Sequence, residues 1–168
     1  LPGMDVRIPV LSYGANAAPH FLAKKMKKFD VADEVNAELN TVPHCRAVVK
    51  DSIAAWHGRT SQVGGVFAEL VKSPETLGTD LYAHIAFMTT EQLAIISVTE
   101  GATYSLAEVE VLVGDDQRPK NVLAYIALDS SIRTIDGSPV AVKTIPHTGK
   151  EPLRKEAKEV VRDMLEES

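Results

Sequence analysis

Leu81-Tyr82-Ala83-His84-Ile85-Ala86-Phe87-Met88, followed by Thr89-Thr90-Glu91-Gln92-Leu93-Ala94-Ile95-Ile96-Ser97-Val98-Thr99-Glu100-Gly101, is the stretch in which the hydrophobic period changes. Residues 81–88 alternate as a half-buried strand does. Thr89 and Gln92 stand at capping-box spacing, so a short helix begins there and should end near Gly101. Beyond it the pattern is β throughout: residues 104–113, a turn over 114–119, residues 121–128, then 132–135 and 139–144 on either side of Asp136-Gly137, a pair that favours hairpin turns. A helix set among hairpins indicates an α+β domain on a small, mostly antiparallel, barrel-like sheet. A doubly wound parallel fold fits that order less well.

Upstream, residues 6–13 are apolar at strand-like density, and residues 17–29 place Phe21, Leu22, Met26 and Phe29 on one helical face. Tyr13-Gly14-Ala15-Asn16 therefore lies at a strand-to-helix turn. Asn16 suits the N-cap, and Pro19 the first turn, where its missing N–H removes no intrahelical bond. The free backbone donors at such a turn can hold a carboxylate or a developing oxyanion; the alternative is a capped helix after a strand. Residues 30–41 read as a loop with weak helix. Strands follow at 44–50 and 52–56, then a polar turn over 57–62. Residues 63–71 form a strand containing Gly64-Gly65, a pair that suggests a bulge or a close backbone approach. Ser73-Pro74-Glu75-Thr76 turns the chain. Residues 151–167 are a charged amphipathic helix with Leu153, Ala157, Val160, Val161 and Met164 on one stripe and a Glu151–Lys155 pair outside it. Docking on the domain is its expected role, and a homodimer contact the alternative.

The chain has 168 residues, 45% of them hydrophobic, which suits one domain over residues 1–168 better than two. Leu1-Pro2-Gly3 before Met4 reads as an added leader, over residues 1–5, or as the trimmed start of a longer chain. A net charge of −5, with no basic block interleaved with aromatics, argues against nucleic acid as a partner. Lys24, Lys25, Lys27 and Lys28 are the basic cluster, expected on the wet face and C-terminal end of the first helix. The single cysteine, Cys45, cannot close an internal disulfide, so a reducing cytoplasm is the simplest location. The sequence holds no apolar run of about 18 residues, and no membrane partner is expected.

The usual signatures of an enzyme nucleophile, a phosphate loop or a metalloprotease helix do not occur. The five histidines, His20, His44, His57, His84 and His147, lack ligand spacing, so no metal or other cofactor is expected. His57, beside Trp56 and Gly58, belongs to a surface turn or borders a cleft. Glu100 breaks a local rule. A carboxylate at a helix C-terminus meets the negative pole and, if Ile96 and Val98 shield it, desolvation as well. Both favour the protonated form, which suits a proton shuttle working near neutral pH. The alternative is a solvated acid before a C-capping glycine.

Taken in order, Tyr13-Gly14-Ala15-Asn16, Gly64-Gly65 followed by Ser73-Pro74, and Glu100-Gly101 with Tyr104 just beyond resemble the γ-glutamylcyclotransferase superfamily along most of the chain. The resemblance implies a small β-barrel-like α+β fold with a substrate cleft lined by Tyr13, Gly14, Ala15 and Asn16. It implies Glu100 as the catalytic acid/base, and Tyr13 and Tyr104 as residues that position substrate or pack the barrel. Tyr125 is assigned to the core. The implied reaction cyclises a small-molecule γ-glutamyl amide to 5-oxoproline and releases an amine or amino acid, with no cofactor. Two positions depart from the pattern: Ala15 replaces the family serine, and Ser97 stands where members commonly carry aspartate. Both leave substrate identity open. Alternatives are a non-catalytic binding or interaction module on the same fold, or a hydrolase or acyltransferase on a related amide.

Overall fold

The computed structural model describes residues 7–17, 19–28, 41–60, 66–101, 103–129 and 131–167. Chain order is β1 (Ile8–Ser12), a 3-10 turn (Ala15–Ala17), α1 (Pro19–Lys28), β2 (His44–Val49), β3 (Ile53–Thr60), β4 (Val66–Val71), a 3-10 turn (Pro74–Thr76), β5 (Thr79–Met88), α2 (Thr90–Glu100), β6 (Tyr104–Val113) and β7 (Asp116–Ala127). Short strands follow: β8 (Thr134–Ile135), β9 (Ser138–Pro139), β10 (Ala141–Val142), β11 (His147–Gly149) and β12 (Arg154–Lys155), before α3 (Ala157–Glu166). The readings at 30–40 and at Gly64-Gly65 lie outside the described residues.

The main sheet runs β1-β7-β6-β2-β5 and closes through β1–β5 pairing, with β11 added on the outer edge of β5. Only β1–β7 is parallel within that ring. Closure leaves the five strands of the ring without a free edge, which an open antiparallel sheet would have to protect by other means. A second sheet, β12-β10-β3-β4, lies beside it.

Alternation in β5 explains why the ring closes. Leu81, Ala83 and Ile85 are buried and pack with Leu11, Ala47, Val111, Val122 and Ala124 of the other barrel strands, and with Ala54, Trp56, Val142 and Val160 from outside the ring. Tyr82 and His84 point the other way and are exposed. Further along β5 the outward positions Ala86 and Met88 become buried, because α1 and α2 cover them in a second cluster with Val10, Leu22, Met26, Ile96 and Tyr125.

The expected helix start at Thr89 forms as a capping box: Gln92 N–H donates to Thr89 Oγ1 at 3.2 Å and Thr89 N–H to Gln92 Oε1 at 2.9 Å. The helix stops at Gly101, which adopts φ 57° and donates its N–H to Ser97 O. Asp136 (φ 51°) and Gly137 (φ 77°) turn the β8–β9 hairpin, as the Asp-Gly pair indicates.

Several boundaries differ from the sequence reading. Residues 57–60, expected as a polar turn, continue β3: His57 bridges Ile132, and after an irregularity Thr60 pairs with Val66 of β4. The expected turn over 114–119 shrinks to Gly114-Asp115: Val113 pairs with Asp116, and β7 begins there. The strand expected over 139–144 divides, since Ala141 leaves the hairpin to pair with Ala55 of β3. Residues 151–167 are helical only from Ala157. Arg154 and Lys155 instead pair in parallel with β10, and Glu151 meets Arg154 at 2.8 Å rather than Lys155. Lys155 reaches Asp163 of α3. Leu153 is left exposed, while Val160 and Met164 carry the docking face.

Candidate active site

Tyr13 leaves the end of β1, and Gly14 starts a tight turn in which Ala17 N–H donates to Gly14 O at 3.0 Å. Asn16 sits inside this 3-10 turn and not at the α1 N-cap, since α1 begins only at Pro19. Its carboxamide is thereby free to point across the fold. Asn16 Nδ2 donates to Glu100 Oε1 at 2.8 Å, and Asn16 Oδ1 accepts from Lys25 Nζ at 2.8 Å. Lys25 Nζ also donates to Glu100 Oε1 at 2.6 Å. The partners fix the amide orientation, because only the oxygen can accept from an ammonium and only the NH₂ can donate to a carboxylate.

Each member is delivered by a different element. Lys25 is on α1 next to Met26, whose burial against the barrel turns that side of the helix inward. Glu100 is the last residue of α2, brought to α1 by packing of the two helices. The side chains of Lys25 and Glu100 are 25% and 13% exposed, so the cluster is shielded yet open on one side. Of the two residues expected to shield Glu100, Ile96 is buried but Val98 is 65% exposed, and a cation bonds the carboxylate. Lys25 therefore does not belong to the wet face on which the sequence reading put it. Lys24 does, and the side chains of Lys27 and Lys28 lie outside the described residues.

The tyrosines line the walls. Tyr13 is buried and its hydroxyl donates to the Tyr125 carbonyl at 2.5 Å. Tyr104 opens β6 and donates its hydroxyl to Ala68 O at 2.8 Å. Burial is the main reason both phenols are pushed well above their ordinary range, so both remain protonated donors. Tyr104 meets Phe67 edge-on at 5.8 Å, and Phe67 stacks on His57 at 4.2 Å. Tyr125 joins the core as expected, but it also borders the cleft, where its hydroxyl contacts Ser97 Oγ at 2.7 Å. Ser97 therefore serves Tyr125, and no hydrogen bond joins it to Glu100.

Tyr13, Gly14, Asn16, Lys25, Glu100 and Tyr104 all line one cleft of about 1230 Å³. The backbone of Ala15 lies in the same turn, while its side chain is outside the described set. His57, placed in a surface turn or beside a cleft by sequence, is buried in β3. Its Nδ1 accepts from Arg59 N–H at 3.1 Å, so Nε2 carries the hydrogen and gives it to Asp129 O at 2.8 Å. Sequence reasoning missed Lys25 and Phe67. Lys25 shares a helical face with Phe21 and Leu22, which was the available signal. Among the described residues no three His, Cys, Asp or Glu side chains gather as metal ligands, and no helix is long and apolar enough to cross a membrane.

By sequence, no family model matches the chain and no curated protein matches it significantly. Solved structures do match. The chain is similar to a gamma-glutamyl cyclotransferase at 15% identity, over 96% of this chain and 79% of that one, with a TM-score of 0.53. It is similar to an uncharacterized protein from Homo sapiens at 16% identity, over 96% and 80%, with a TM-score of 0.53. A protein from Arabidopsis thaliana matches at 16% identity, over 78% of both chains, with a TM-score of 0.52. These likenesses establish the fold, an α+β closed barrel with a C-terminal helix.

Proposed function

We propose that this chain, which has the fold of gamma-glutamyl cyclotransferase, cyclises a γ-glutamyl amide to 5-oxoproline. The observation that carries the reading is the hydrogen bond from Asn16 to Glu100, groups 84 positions apart in sequence. It holds an acid/base group beside the amide donors of the Tyr13-Gly14-Ala15-Asn16 turn, on one cleft.

The reaction asks little of a protein beyond shape and proton transfer. The substrate's α-ammonium gives a proton to Glu100, and the freed amine attacks the γ-carbonyl carbon. Its oxygen, now an oxyanion, is held by the amides of Gly14, Ala15 and Asn16. The γ-carbon to nitrogen bond then breaks as Glu100 returns the proton to the departing nitrogen, and the second proton of the attacking nitrogen passes by way of the freed Glu100 carboxylate to the released amine, leaving the neutral five-membered lactam and an ammonium product. Positioning two groups of one molecule for such an attack can supply about 7–11 kcal/mol. The Lys25 ammonium offsets the negative charge of Glu100 in its base form and opposes the helix pole at the end of α2. Tyr13 and Tyr104 have spent their hydrogens on backbone carbonyls, so their rings shape the wall.

One observation favours a second reading, a binding module without turnover: Lys25 already occupies an oxygen of Glu100. The test offers the purified protein γ-glutamyl amino acids, γ-glutamylamines and glutathione, with free 5-oxoproline as readout. Lactam from wild type and none from Glu100→Gln supports cyclisation. Saturable binding without lactam selects the binding module, and glutamate in place of lactam selects a hydrolase.

A further inference from the structure

We propose that Lys25 and Glu100 form a zwitterion-binding pair that receives both the α-ammonium and the α-carboxylate of a γ-glutamyl ligand, with Lys25 the residue that selects for the carboxylate. The inference rests on the γ-glutamyl reading above and deepens it.

The atoms left unused by the cluster point to it. An ammonium has three donors. Lys25 gives two of them, to Asn16 Oδ1 and Glu100 Oε1, and has no other partner among the described residues. Glu100 accepts both of its hydrogen bonds on Oε1. Its Oε2 has no partner among the described residues, and it is not one of the buried unpaired atoms, so it remains accessible. Both residues line the cleft. One unused N–H of a cation and one unused oxygen of an anion are thus presented side by side.

A γ-glutamyl group carries its ammonium and carboxylate on the same carbon, and that pair of charges matches this pair. An amine without the carboxylate matches it poorly. It would compete with Lys25 for Glu100 and bring no acceptor for the displaced or shared ammonium. The ion pair has no net charge, so a zwitterion adds none, whereas a bare cation or anion leaves one charge uncompensated in a shielded site. Asn16 holds the flexible lysine in register, which lowers the ordering cost of using it as a recognition group.

Binding can be separated from turnover with an analogue that cannot cyclise, an α-amino acid whose γ-amide is replaced by an ether. Calorimetry would compare this compound with its α-methyl ester and its decarboxylated counterpart. Wild type is expected to bind the zwitterion about ten- to hundredfold more tightly than either, the worth of one charge-assisted hydrogen bond. Lys25→Met should abolish the zwitterion's advantage over the other two, which as bare cations bind at least as well as to wild type once their competitor for Glu100 is gone. Equal weakening of all three ligands by Lys25→Met would show that Lys25 only supports Glu100 and would overturn the proposal. So would absence of discrimination, or of any binding, by wild type. Should Lys25→Met fail to fold, Lys25→Gln and the ester comparison on wild type decide the same point. Discrimination with no lactam from the matching amide leaves the pair standing and removes the cyclisation.

Discussion

Glu100 and Glu69 are both shielded carboxylates near Tyr13 and Tyr104, and the fold treats them in opposite ways. Glu100 has a cation and an amide on one oxygen and the cleft beside the other. Glu69, on β4, is 4% exposed and keeps Oε2 without a hydrogen bond among the described residues. Its nearest cation candidate is His57 Nε2 at 3.7 Å, whose hydrogen is already committed to Asp129 O. Burial pushes the Glu69 carboxyl upward, opposed by His57 and assisted by Asp129. Under the proposed reaction, the difference separates a carboxylate placed to exchange a proton with a ligand from one enclosed by the core.

The largest effect should come from Glu100→Gln. Lactam release should fall by on the order of 10²–10⁴-fold, the usual worth of general acid–base catalysis, while unfolding stays cooperative. Equal release by variant and wild type would erase the distinction between the two acids.

The contrast between partnered and bare buried groups extends to His147, and there it is read through pH. His147 Nε2 accepts from Ala54 N–H at 3.1 Å, whereas Nδ1 has no hydrogen bond among the described residues. Burial, then Arg154, lowers this imidazole from 6.5 to about 4. The unfolded chain therefore binds the proton more tightly. The stabilisation is complete above pH 6.5 and is lost as pH falls toward about 4. The melting temperature should drop across that window, and His147→Gln, which offers an acceptor to Ala54 but does not titrate, should flatten the drop.

Glu69 predicts the opposite sign. Its folded-state carboxyl holds a proton more tightly than the unfolded chain, so its contribution declines as pH rises out of the ordinary carboxylate range. Glu69→Gln should remove that decline and leave lactam release near wild type, and a melting curve in pH for the two proteins checks it. A loss of lactam release comparable with that of Glu100→Gln would make the two acids partners.

The smallest effect is expected at Gly101. Alanine there meets no close atom but must adopt φ 57° and ψ −140°, a conformation essentially confined to glycine, which costs about 1–3 kcal/mol. Because Gly101 ends α2 directly after Glu100, chemical denaturation of Gly101→Ala reads that strain, and its lactam release reads how firmly the helix end aims the acid.

Much of this architecture was legible locally. The alternation of β5, the Thr89–Gln92 box, the stop at Gly101, the limits of β6 and the Asp136-Gly137 turn depend on residues a few positions apart. The α+β barrel-like class followed from their order. His57 to Thr60 misled because a polar run with glycine resembles a turn until β4 and Ile132 supply its pairing partners. Arg154-Lys155 misled for the same reason, since a helical pattern was overridden by pairing with β10. In the candidate site, Tyr13, Gly14, Asn16, Glu100 and Tyr104 were nameable from short motifs and do share a cleft. Lys25 was not, because four nearby lysines look alike until one helix face is buried.

The sequence by itself determined the start and stop of α2, the limits of β6 and the Asp136-Gly137 turn, and offered Tyr13, Gly14, Asn16, Glu100 and Tyr104 as site candidates, since capping, turn geometry and side-chain type act over a few residues. Tertiary structure alone decided that Lys25 turns inward, that Asn16 bonds Glu100 instead of capping α1, and that Glu69 Oε2 has no hydrogen bond among the described residues. Those outcomes depend on barrel closure and on α1 packing against α2, where burial and charge are set by atoms distant in the chain.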